Sequence, residues 1–107
     1  IKLDPYSYAA AYLVNAISNM RLGNMQAAEA SARQAIKLDT GHVFPEAEYT
    51  LGLILDTKGD SKGAAEHLRN FLLLAPSSPG AEAVKGRLAE LEQASGAQAA
   101  PQPPPPK

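Results

Sequence analysis

The tetrapeptide Ile1-Lys2-Leu3-Asp4 returns 35 residues later as Ile36-Lys37-Leu38-Asp39, and a degenerate copy, Leu72-Leu73-Leu74-Ala75-Pro76, follows 36 residues after that. Ahead of Ile36 and Leu72 lie segments of similar length, each opened by a glycine and a polar residue: Gly23-Asn24 and Gly59-Asp60. A chain that repeats at this interval is built of small units, each too short to bury its own apolar face. Such units gain a continuous core only by packing on their neighbours.

The units are helical. Val, Ile and aromatic residues nowhere alternate with polar ones over a convincing run, so strand signals are weak. Helices are expected at about 7–21, 25–39, 45–58 and 61–74, with a fifth at 80–94. Small residues recur where paired helices would cross: Ala16, Ala28, Gly52 and Ala64. Two backbones approach closely only where Cβ bulk is missing. Tyr12, Leu51, Leu55, Leu68 and Phe71 are then the larger side chains that fill the gaps beside them. Gly59 can take the left-handed conformation that ends a helix, Asp60 or Ser61 can cap the next, and Pro76 stops the unit. In the fifth helix Val84, Leu88 and Leu91 share one face, with Glu82, Lys85, Arg87, Glu90 and Glu92 on the others. One apolar stripe and a charged remainder suit the end of a stack. The fold class is all-α, an α-solenoid of antiparallel helix hairpins.

The second unit resembles the tetratricopeptide repeat (TPR) family. Leu51-Gly52 followed by Leu55 is similar to that family's Leu-Gly-x-x-Tyr, Gly59-Asp60 to its turn, Ala64-x-x-x-Leu68 to Ala-x-x-x-Phe, and Pro76 to its closing proline. The first unit is looser. Tyr12 stands where the family prefers Trp, Ala16 where it prefers Gly, and Ala28-x-x-x-Ala32 follows Gly23-Asn24. Asn15 and Asn19 replace a Leu and an aromatic, and Thr40 replaces Pro. The resemblance covers roughly residues 1–92. It divides the chain into the end of a preceding repeat at 1–5, repeats at 6–42 and 43–78, a capping helix at 79–94 and a Pro-rich tail at 95–107. The stretch Thr40–Phe44 lengthens one loop between repeats.

The resemblance also implies a site. In this family the first helix of each unit lines a concave groove for a peptide. Carried onto this sequence, the groove face is Leu13, Ile17, Met20 and Arg21 in the first unit, and Glu46, Tyr49, Leu53 and Asp56 in the second. Some members hold carboxylate-terminated tails with Lys, Asn and Arg. Leu13 and Ile17 occupy clamp positions here, which argues against that ligand. An apolar groove suits an extended or helical peptide with hydrophobic anchors. Leu13, Ile17 and Leu53 have a second reading, as side chains buried against a neighbouring repeat. Tyr49 and Met20 tolerate partial exposure better, as a ring with a polar tip and a thioether.

Other functions find little support in the residues. A net charge of −1 leaves no basic footprint for nucleic acid, including the single-stranded RNA read by other hairpin repeats of similar period. No apolar run approaches the roughly 18 residues of a membrane span. Without cysteine there is neither a disulfide nor a thiolate metal site, and this leaves the compartment open. His42 and His67 lie apart in metal-free spacing, Glu66-His67 reads as a solvated face, and no nucleophile has a base beside it. The expectation is a non-enzymatic module without cofactor or metal that binds a protein or peptide.

The alternative is a self-associating scaffold segment. The chain begins at Ile1 without an initiator Met, and reads as a piece of a longer array whose exposed edge could pair through Ile1, Leu3, Tyr6 or Tyr8. The tail ends in Pro101-Gln102-Pro103-Pro104-Pro105-Pro106-Lys107, which favours polyproline II. It reads as a linker, or as a docking peptide for an aromatic groove on a neighbouring copy, near Tyr12 or Tyr49.

Overall fold

A computed structural model describes residues 4–99, with side chains through residue 94. Five helices follow in order: α1 Pro5–Arg21, α2 Met25–Leu38, α3 Glu46–Thr57, α4 Ser61–Leu74 and α5 Ala81–Ala99. Among the described residues there is no strand. The turns between α1 and α2 and between α3 and α4 are built alike. Gly23 has φ 84° and Gly59 φ 89°, both left-handed. Asn24 N donates to Asn19 O at 2.8 Å and Asp60 N to Leu55 O at 2.9 Å, while Gly23 N reaches Met20 O and Gly59 N reaches Asp56 O. This is the glycine-closed helix end in which the chain folds back over its own last turn. The two turns stand 36 residues apart and set the register between the hairpins.

The helix starts are capped unequally. Asp4 accepts a hydrogen bond from Ser7 N at 2.9 Å, and Pro5 occupies the first turn of α1. The helix therefore begins at Pro5, two residues before its expected start, because proline supplies a helical φ and lacks the N–H a first turn would waste. Asp60 caps α4 through Gly63 N at 2.9 Å. Thr40–Phe44 is the expected loop. His42 has φ 54°, and both oxygens of the buried Asp39 accept backbone N–H groups, from Val43 at 2.8 Å and Phe44 at 2.7 Å. α5 runs on to Ala99, past the expected end at 94, since Gly96 weakens a helix without breaking it. The proline tract beyond lies outside the described residues.

Consecutive helices pack on one another along the whole series, and α1 also touches α3. The core is made by the small residues foreseen at the crossings. Ala16, Ala28 and Ala64 are fully buried, beside Leu51, Ile54 and Leu68. A Cβ on Gly52 would stand 2.7 Å from Leu68 Cδ2 and 3.4 Å from Ala64 O, so any side chain there would force the buried Leu68 to shift from its place between α3 and α4. Ala81, Val84, Leu88 and Leu91 of α5 close the core at one end, and a second cluster gathers Leu13, Ala35 and Ala47. Tyr12 departs from its expected place as a gap filler: it is 39% exposed. Asn15 and Asn19 share α1 with it. Asn15 Oδ1 accepts from Asn19 Nδ2 at 2.8 Å and from Ser31 Oγ at 2.7 Å. Leu51 and Leu55 lie 36 residues further along and are buried. The same two positions are thus apolar core in the second hairpin and a polar, hydrogen-bonded surface in the first.

Candidate functional site

The eight residues expected to line a groove come from α1 and α3, two helices in contact. Leu13 and Tyr49, Ile17 and Leu53, and Met20 and Asp56 are pairs 36 residues apart, so each pair holds one register position in its hairpin. Their exposures differ. Leu13 is buried, in the cluster with Ala35 and Ala47, against which Ile17 packs while staying half-exposed. Met20 and Tyr49 are half-buried and lean on the main core. The Tyr49 ring lies 5.3 Å from that of Phe71, tilted by 47°, so its inner face is already occupied. Leu53 is half-exposed, and Arg21 and Glu46 are exposed.

Asp56 is engaged by a residue that the sequence spacing does not connect with it. Arg87 of α5 donates Nε to Asp56 Oδ2 and Nη2 to Asp56 Oδ1, both at 2.7 Å, and Nη1 to Glu90 at 2.9 Å. The Arg87 hydrogen bond holds the Asp56 carboxyl below its ordinary range, and the same contacts with Asp56 and Glu90 raise the guanidinium further above its own. Arg69 of α4 likewise meets Glu92 of α5 at 2.6 Å. On the other hairpin junction, Lys58 reaches back to Glu29 of α2 at 2.6 Å, and Arg33 joins it at 2.9 Å. These two cations lower the Glu29 carboxyl, Lys58 most.

A second arrangement was not foreseen. Glu48 is 8% exposed. Its Oε1 accepts from His67 Nδ1 at 2.7 Å and from Asn70 Nδ2 at 3.2 Å, both on α4. The expectation that Glu66-His67 forms a solvated face is corrected here: His67 turns inward to Glu48, with Glu66 3.8 Å from its other nitrogen. Burial pushes the Glu48 carboxyl up, but the hydrogen bonds from His67 and Asn70, with the charges of His67 and His42 when protonated, outweigh it. The carboxyl ends below its ordinary value. Glu48, Asn70, His42, Leu73 and Leu74 line a cavity of about 240 Å³. The sequence did carry a signal, since Glu48, Leu51 and Leu55 fall on one helical face and a glutamate in an apolar stripe needs partners.

A shallower cavity of about 330 Å³ lies along α1 between Tyr8, Ala11, Tyr12 and Asn15. Of the residues expected at a self-association edge, Tyr6 and Tyr8 are 39% and 46% exposed, while Ile1 and Leu3 lie outside the described residues. Among the described residues no group of three His, Cys, Asp or Glu side chains could hold a metal ion. Nor is any described helix long and apolar enough to cross a membrane. Compared with protein-family models, curated proteins and solved structures, the chain matches none.

Proposed function

We propose that this chain is a TPR-like α-solenoid segment that binds a peptide or protein segment on the face shared by α1 and α3. The observation that carries the reading is the pairing of register-equivalent, half-exposed apolar side chains on two touching helices: Ile17 with Leu53, beside Met20 and Tyr49. Half-exposed side chains of this kind can bury further apolar area on a partner while the scaffold stays put. Leu13 contributes by supporting Ile17 from beneath rather than by contact with a ligand. Arg21 and Glu46 are exposed charges at the rim with no ion pair among the described residues, and such charges set orientation and partner choice more than affinity. Asp56 belongs to that rim through Arg87, so an incoming cation has to compete with a resident one. Binding, not catalysis, is the role.

The test is selection of displayed random peptides on the intact chain. Enriched peptides are expected to bind the chain and to lose binding on Ile17→Gln and Leu53→Gln, both of which should stay helical by circular dichroism. Peptides that bind these folded variants as well as the parent would place the binding face elsewhere.

Self-association through α1 is the second reading, supported by the exposure of Tyr6, Tyr8 and Tyr12 on one helix. Light scattering across concentration separates it from the first, because only self-association raises the mass of the unliganded chain.

A further inference from the structure

We infer that the cavity at Glu48 is a receptor for a positively charged side chain, lysine or arginine, of a polypeptide partner. It would be a specificity pocket separate from the apolar face of α1 and α3. Its partner class rests on the binding reading above.

Glu48 sits in the first turn of α3 with nine-tenths of its side chain out of water. Both of its hydrogen bonds land on Oε1, and among the described residues none reaches Oε2. Oε2 is reached by solvent at the cavity, and a carboxylate with most of its side chain out of water favours a cation at the oxygen left open. The resident donors do not supply a permanent one. Asn70 is neutral, and His67 and His42 are cations only when protonated.

The surroundings favour the same ligand. The cavity opens beside Leu73 and Leu74 in the last turn of α4, where unpaired carbonyls give the helix end its partial negative charge. That last turn carries no basic residue. In the first hairpin the last turn of α2 does carry one, Lys37, and the position 36 residues on is Leu73, which is 76% exposed. The second hairpin thus joins a largely buried carboxylate to a helix end whose own last turn has no basic residue. Leu73 and Leu74 provide apolar walls for the methylene stem of a lysine or arginine, whose charged head would reach Glu48.

The experiment is a titration with Nα-acetyl-lysine-N-methylamide, and with its norleucine counterpart as the uncharged control. Resonances of the Asn70 side-chain amide and of the His42 and His67 rings report the pocket. Saturable shifts are expected with the lysine compound and not with norleucine, at affinities about tenfold or more weaker in Glu48→Gln. Leu73→Lys places a cation at the mouth from within and is expected to abolish the shifts while the chain stays helical, which serves if Glu48→Gln fails to fold. Equal shifts with norleucine, or undiminished lysine binding in either folded variant, would overturn the proposal. Failure here leaves the Ile17 and Leu53 result untouched, so the two readings fall separately.

Discussion

Arg87 clasps Asp56 at two points, Nε to Oδ2 and Nη2 to Oδ1, each 2.7 Å long, and thereby fastens α5 to α3 across 31 residues of sequence. A planar guanidinium facing a carboxylate edge-on is the most directional ion pair available to side chains. Here it ties the last helix to the hairpin before it, along the margin of the proposed binding face.

The pair has a definite pH signature. Asp56 titrates below its ordinary value of 3.8 in the folded chain because Arg87 stabilises its charged form. A carboxyl lowered in this way adds stability above its unfolded value, and that contribution is lost as the pH falls through the folded value. Asp56→Asn should therefore lower the urea midpoint at neutral pH. The gap between variant and parent should narrow as the pH drops below 3.8, and also in high salt. A gap that stays constant across acid pH would remove the pair from the account.

Two glycines in helix interiors should respond in opposite directions to alanine. Gly52→Ala forces a methyl to within 2.7 Å of Leu68, an overpacking that costs about 1–3 kcal/mol. Better helix propensity returns only about 1 kcal/mol of that. At Gly86 of α5 a Cβ would meet, apart from its own helix backbone and chain neighbours, no described atom within 4 Å, so Gly86→Ala should stabilise by about 0.5–1 kcal/mol. Thermal unfolding of the two variants checks both signs at once.

Asp39 should be the costliest polar residue to remove. Its carboxylate accepts Val43 N and Phe44 N while only 4% of the residue is exposed. Asp39→Ala deletes two charge-assisted bonds and leaves two donors without their acceptor, for a loss of about 2 kcal/mol or more. Amide exchange at Val43 and Phe44 should accelerate with it, and Asp39→Asn, which keeps one acceptor, should cost less.

The signals that were legible in the sequence are those carried by a residue's own backbone or size. Gly59 announced a left-handed helix end and Gly23-Asn24 a turn, which proves left-handed as well, and the crossing positions Ala16, Ala28, Gly52 and Ala64 announced themselves by missing bulk. The stripe Val84, Leu88, Leu91 announced a helix with one buried face. What stayed hidden depends on how two helices are rotated against each other. Glu48 meets His67 across 19 residues and Asn70 across 22, and no local pattern states which face of α4 turns toward α3. For the same reason the sequence places Asp56 on the groove face without its partner, Arg87 of α5. Asn15 and Asn19 looked like degenerate core positions, and are instead the polar side of α1.

The paired turns at Gly23 and Gly59 have a consequence for how such a chain can change length. Both hairpins close on the same backbone joint, so the joint is indifferent to its position in the series. The link between hairpins is not: Asp39 anchors it through the amides of Val43 and Phe44, whereas Asp4, 35 residues earlier, leads straight into α1. Whole hairpins could be duplicated in tandem with every closing turn preserved. Each added copy would still have to bring its own anchor for the link that follows it.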